Sequence, residues 1–257
     1  MDKDTKTIDI KLPTRWEELT QKQLRYLFGL IAQGYSIDEV KAFSFFCWSG
    51  LRILHRYGDN GYMCKKGKLH IVLTAAQVTA AVASLDWLKS LPATPIRLER
   101  IGSHRAIAAD FQGVPFEIFI ICDNLYQGFI STQNDKLLDE MASHLYTSSR
   151  FSSQIHRLTP AERISIFYWF ASLKAMFSRE FRNFLQPVTS DNANLLDSGR
   201  SQYEILTAAV NAQIRALTKG DVTKESEVLA LDTWRALTEL DALAREYQEL
   251  NSKYPSK

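Results

Sequence analysis

The stretch from Thr159 to Leu185 limits the possible folds of this chain more than any other. Thr159-Pro160-Ala161-Glu162 has the form of a helix start. It offers a threonine cap, a proline preset for the first helical position, and a glutamate three residues after the cap that closes a capping box. Ile166, Phe170, Leu173, Phe177, Phe181 and Phe184 then recur at steps of three and four, which is one face of a helix. Ile164, Phe167 and Trp169 widen that stripe until most of the first three turns is apolar. Such a helix must be wrapped by other elements. Arg163, Lys174, Arg179, Glu180 and Arg182 interrupt it, and charges at mid-bilayer are costly, so it is not a membrane span. The expected class is mainly α, a helical bundle-like core around this helix.

The rest of the chain supplies more helices and little else. Thr20 caps a stripe of Leu24, Leu27, Phe28 and Ile31, with Gly34 as terminator. Ser36-Ile37-Asp38-Glu39 is a second capping box, opening a helix with Val40, Phe43, Phe46 and Cys47 on one side. Trp48, Leu51, Ile53 and Leu54 continue its apolar material, so the pair reads as a helical hairpin. Thr74 to Gln77 is a third box, predicting a helix to Leu91. Helices follow from Pro115 and again to about Tyr146, with the corner at Thr132 to Asp135. Residues 5–12 alternate polar and apolar, as does 96–101, and Lys65-Lys66-Gly67 sits between two short apolar runs. Together they predict a minor β-hairpin or small sheet in the N-terminal 105 residues. The polar run 187–199 divides an α-rich core, residues 1–186, from a C-terminal helical hairpin, residues 200–257, that can pack on it.

Chemistry is sparse. Cys47, Cys64 and Cys122 are odd in number and form no CxxC pair, and no histidine lies at metal-ligand spacing from them. They read as buried free thiols in a reducing compartment. No metal or cofactor is expected. There is no GxxxxGK[ST], GxGxxG, GxSxG or HExxH pattern, and adjacent carboxylates such as Glu17 and Glu18 diverge on a helix, so no catalytic residues are assigned and the chain is read as no enzyme. His104, beside Gly102 and Ser103, is expected in a solvent-facing loop. The start, Met1 to Lys6, carries no apolar segment, and no uncharged apolar run of about 18 residues occurs. The expected location is cytoplasmic, with no membrane.

Two surfaces remain as candidates. From Leu51 to Arg105 nine basic residues face three acidic ones. Arg52, Arg56, Lys65, Lys66, Lys68, Arg97, Arg100 and Arg105 would converge if the hairpin and the 96–101 strand were neighbours, with Tyr57, Tyr62 and Trp87 among them for base stacking. Lysines and arginines on a small sheet also guard against edge pairing. The last helix offers an apolar edge, Trp234, Leu237, Leu240 and Leu243, which either packs on its own core or docks another chain.

Three blocks carry a resemblance: Leu12-Pro-Thr-Arg-Trp-Glu-Glu-Leu-Thr-Gln-Lys-Gln-Leu24, then Asn124-Leu-Tyr126 leading to His144-Leu-Tyr146, and Thr233-Trp-Arg-Ala-Leu-Thr-Glu-Leu-Asp-Ala-Leu-Ala-Arg245. In these the chain resembles uncharacterised proteins encoded among the virion genes of Bacteroidetes prophages. The opening Trp16-Glu17-Glu18-Leu19-Thr20 is also similar to phage tail assembly chaperones. The resemblance implies a non-enzymatic assembly factor that holds the apolar helices of a tail component soluble, through spare faces of residues 24–54 and 228–250. The alternative is a structural or nucleic-acid-contacting virion protein that uses the basic middle segment.

Overall fold

The computed structural model describes residues 10–58, 61–148, 155, 157–185 and 202–253, with side chains from residue 210 onward in the last segment. The chain is mainly α and forms two compact units. Unit 1 holds residues 1–92 and 159–165, and unit 2 holds 93–158 and 166–257. The division therefore does not follow the polar run 187–199, which lies outside the described residues. Among the described residues no helix is long and apolar enough to cross a membrane.

Unit 1 opens with α1 (Gln21–Ala32) and α2 (Ile37–Ser49). Both begin with complete capping boxes, Thr20 with Gln23 and Ser36 with Glu39, so two orphan N–H donors are satisfied at each start. Leu24, Leu27, Phe28 and Leu30 of α1 are buried, as are Val40 and Phe45 of α2. The face expected for α2 is corrected here, because Phe43 is 41% exposed and Cys47 is exposed too. Lys41 is buried instead, its ammonium 2.8 Å from both Asp38 and Asp86. Those two carboxylates, Asp38 first, hold the lysine above its ordinary pKa.

The apolar run after α2 is not helical, contrary to expectation. Gly50 sits at φ 70° and ends the helix, and the chain enters β1 (Arg52–Arg56). The hairpin of β2 (Gly61–Lys66) and β3 (Leu69–Thr74) joins it in an antiparallel sheet of order β1-β2-β3. Gly61 is required, since a Cβ there would lie 2.1 Å from the Leu73 carbonyl oxygen. The helix predicted to Leu91 is shorter. α3 (Ala75–Ala83) follows its Thr74 and Gln77 capping box, and a 3₁₀ turn at Asp86–Lys89 then buries Leu88. The Trp16 indole N–H donates to Ser90 O at 2.9 Å, and its ring meets Trp87 edge-on. The strand expected over 5–12 falls mostly outside the described residues, and residues 10–12 are not in a strand.

Unit 2 begins with a second small sheet, β4 (Arg100–Ile101) and β5 (His104–Ala106), closed by β6 (Tyr146–Thr147). β content therefore extends beyond residue 105. The strand expected over 96–101 is reduced to its last two residues, and β4-β5-β6 is a separate sheet from β1-β2-β3. Leu98, fully buried, gives its carbonyl to the Tyr146 hydroxyl at 2.9 Å rather than to a ladder. α4 (Phe116–Thr132) and α5 (Asp135–Leu145) meet at Gln133, which adopts φ 54°, and Asn134 caps α5.

α6 (Pro160–Glu180) carries the long aromatic stripe. Thr159 Oγ accepts from Glu162 N at 3.3 Å, and Thr159 N donates to the Glu162 carboxylate at 2.9 Å, so the predicted box forms. Ile166, Trp169, Phe170, Leu173 and Phe177 are fully buried. They pack with α4 and α5, and with residues of α7 (Gln202–Thr218), α8 (Glu225–Leu229) and α9 (Thr233–Lys253). Phe111 holds φ 63°, a costly conformation for an aromatic residue. Its ring compensates by contacts with Phe119, Trp169 and Phe170.

The helix stops at Glu180, short of the Leu185 expected. Asp241 of α9 takes over the freed backbone there, accepting from Asn183 N at 2.8 Å and Phe184 N at 3.0 Å. Burial acts against the Asp241 charge, but the Asn183 and Phe184 bonds together hold its carboxyl below the ordinary aspartate range. A carboxylate depressed in this way stabilises the fold above its unfolded pKa, and the contribution is lost as pH falls through the lower folded value. Asp241→Asn is expected to cost about 1–3 kcal/mol at neutral pH. The gap should close in acid, read as the difference in Tm between the two proteins across a pH series. A gap that is unchanged in acid would exclude this role.

Candidate functional site

The sheet of unit 1 puts basic side chains in rows. Cross-strand register pairs Arg52 with Lys65, Lys65 with His70, His55 with Met63, and Met63 with Val72. Alternation along β2 then sets Arg52, His55, Met63, Lys65, His70 and Val72 on one face. That face is wet. Every residue of β1 is exposed, and Val72 is 59% exposed. The opposite face turns inward through Cys64, fully buried, and Tyr62, whose ring meets Phe46 edge-on at 5.6 Å. Arg56 lies 5.9 Å over the Tyr62 ring, and Lys68 is exposed in the turn between β2 and β3. A bulge at Leu54 shifts the register of β1.

The convergence of eight basic residues therefore does not occur on one sheet. Arg52, Arg56, Lys65, Lys66 and Lys68 belong to the sheet of unit 1, and Arg97, Arg100 and Arg105 belong to unit 2. The sequence placed them together only on the assumption that 68–73 and 96–101 pair. β4 pairs locally with β5 instead, across Gly102 at φ 57°.

Of the two readings open for the apolar edge of the last helix, packing on its own core is the one found, and the docking alternative is set aside. Leu237 is fully buried and Leu240 is 3% exposed. Leu243 is half-buried. Trp234 is half-buried and contacts Phe177 and Phe181, and its indole N–H donates to Asp110 O at 2.7 Å. That edge is consumed by the core of unit 2, and the Trp234 donor is already satisfied. His104 is likewise not a solvent-facing loop residue. It is 7% exposed, on β5 opposite Ile101. Cys64 and Cys122 are buried free thiols, with burial pushing the Cys122 thiol up to about 12. Among the described residues, no three His, Cys, Asp or Glu side chains gather as metal ligands.

Within residues 24–54, where the resemblance implies a spare apolar face without naming its side chains, the exposed ones are now defined. On α1, α2 and the turn between them, Tyr26, Tyr35, Ile37 and Phe43 are each at least 36% exposed. The Tyr35 and Phe43 rings meet edge-on at 5.0 Å. Tyr26 adjoins both Cys47 and Tyr35, and its phenol is pushed up by burial first and by those neighbours second. These four aromatic and thiol side chains form one outward-facing cluster. α2 is apolar on nearly all sides, so spacing alone could not say which residues face out. Ile53, Leu54 and Tyr57, along and just beyond β1, add exposed apolar area.

No family model matches the chain, and neither a curated protein nor a solved structure is significantly similar to it.

The contrast between the two apolar surfaces can be measured. Leu237→Ala should cost about 2–5 kcal/mol by opening a cavity in the core of unit 2. Phe43→Ser should cost less than about 1 kcal/mol, as surface changes do. Urea unfolding of both variants decides. Equal costs would contradict this assignment of core and surface.

Proposed function

We propose that the protein is a non-enzymatic binding and assembly factor that engages apolar segments of another protein through unit 1. The observation that carries this is the Tyr26–Tyr35–Phe43–Cys47 cluster, which leaves aromatic rings in solvent on two well-capped, well-packed helices. Isolated exposed apolar residues are ordinary, whereas a contiguous aromatic group on a rigid support suits a binding surface. The opening block Trp16-Glu17-Glu18-Leu19-Thr20, similar to that of tail assembly chaperones, lies in the same unit. Such a chaperone holds the apolar helices of a phage tail component, and an exposed aromatic surface has the chemistry for that work.

The test is direct. Stoichiometric protein should keep an amphipathic, leucine-rich helical peptide soluble, followed by light scattering. Tyr35→Glu with Phe43→Glu should abolish the protection while circular dichroism shows the fold intact. Protection that survives the double change, or none from the wild type beyond an inert control protein, would exclude this function.

A second function has its own support in the basic row of the unit 1 sheet. Arg52 opposite Lys65 is a like-charge pair, and the His55 and Tyr57 rings meet at 4.8 Å beside it. If the sheet contacts single-stranded nucleic acid, affinity should fall with salt, with a log–log slope of about −0.7 per phosphate contacted. Arg52→Gln with Lys65→Gln should flatten that slope. Binding too weak to titrate at low salt would remove nucleic acid as a partner of this sheet.

A further inference from the structure

The two outer strands of the unit 1 sheet are built differently. β1 is guarded, with Arg52 and Arg56 at its two ends and the bulge at Leu54 breaking its register. β3 has no such guard. Its sequence, Leu69-His70-Ile71-Val72-Leu73-Thr74, holds no lysine, arginine, carboxylate or proline, and all six residues pair with β2 in unbroken register. Among the described residues β3 pairs with β2 alone, so its other edge keeps a row of main-chain donors and acceptors in the open. Leu69 is 42% exposed beside that row and Val72 59% exposed. A regular, uncharged, apolar edge of this kind is a template for another strand.

The charge around β3 selects the strand. β1, β2 and β3 contain no aspartate or glutamate. Lys65 lies opposite His70 and Lys66 opposite Leu69, so the two point to opposite faces of the sheet, and Lys68 precedes β3 in the turn. Three ammonium groups thus surround the amino end of β3. Among the described residues none of the three side chains has an ion pair or a hydrogen bond.

We propose that the outer edge of β3 takes an extended, acidic segment of another protein as a fourth strand. Main-chain hydrogen bonds to β3 supply the affinity, and carboxylates passing Leu69 supply the selectivity. A strand added there lies about 10 Å from β2, two strand spacings, which is within reach of flexible lysine side chains. Antiparallel addition continues the pattern of the sheet and places those carboxylates toward the carboxyl end of the segment. A second copy of this chain fits less well. Joining β3 to β3 would merge two sets of unpartnered lysines into one sheet and bring no strand carboxylate to either. This edge is separate from the aromatic cluster of α1 and α2 and does not depend on its function.

The test is fluorescence anisotropy of the full chain with a labelled peptide of alternating valine and threonine that ends in glutamates. Saturable binding is expected, and replacing the glutamates by lysines should abolish it. Methylating alternate amide nitrogens of the peptide removes main-chain donors and leaves its side chains alone. One alternate set faces β3 and the other faces outward, so one methylated peptide should lose binding and the other keep it. Lys66→Gln with Lys68→Gln should weaken binding about fivefold, as the loss of two exposed ion pairs would. Lys136→Gln, exposed on α5 of unit 2, should leave it unchanged. The methylated peptides need no variant, so they decide the matter even if the double variant fails to fold. No saturable binding, equal binding by both methylated peptides, or full affinity in the folded double variant would overturn the proposal. So would a dimer of the chain alone that the peptide does not dissociate, or a single-stranded oligonucleotide that binds where the peptide does not.

Discussion

The aromatic packing along α6 is the interaction on which unit 2 depends. Trp169, Phe170 and Phe177 are fully buried side by side on that helix. Phe170 stacks on Phe119 of α4, Phe177 meets Trp234 of α9, and Trp169 meets Tyr146 of β6. One helix thus collects partners from three elements distant in sequence. Large rings bury much apolar area and favour offset or edge-on geometry, so they fix mutual orientation as well as supplying stability. The polar atoms of these rings are satisfied too, with Trp169 and Trp234 each donating to the loop before α4. That same loop contains Phe111, whose unfavourable backbone angle is held by three ring contacts.

Unit 1 is organised differently. Its helices are defined by their caps and by a smaller set of buried leucines and phenylalanines, and its sheet covers only one of its own faces. The apolar material left over is displayed rather than buried. Among the described residues, nine large hydrophobic side chains with substantial exposure lie between Tyr26 and Val72. A small scaffold with caps at both helix starts can present such side chains without losing its shape, because the caps act locally and do not draw on the exposed face. This is the feature on which the proposed binding role of unit 1 rests, whereas unit 2 buries its largest aromatic side chains.

How much of this was legible in the sequence depended on range. The capping boxes at Ser36, Thr74 and Thr159 formed as read, because a box is decided by residues three apart. The stripe of α6 was equally plain, since its periodicity is long and strong. The apolar run Leu51 to Leu54 misled, because a short apolar segment has no distinguishing period and Gly50 decides its fate. Strands as brief as β4 and β6 leave no pattern at all, so the separate second sheet was invisible and the pairing of 68–73 with 96–101 that would join the basic residues does not form. The edge of α9 showed the reverse difficulty. Amphipathicity revealed that Leu237 and Leu240 needed cover, and only the fold shows that α6 and its neighbours provide it.

Unit 1 also has an unusual layout along the chain, since residues 159–165 belong to it although all of 93–158 intervenes. Within it, Arg25 bonds Glu162 at 3.0 Å, the same glutamate that closes the box with Thr159. Ribosomes deliver the amino end first, and domains generally fold as they emerge. Here the earlier unit must wait for its closing turn until well over half the polypeptide has been made. Nascent chains paused before that point would therefore carry an unfinished first unit whose aromatic surface is already in the open.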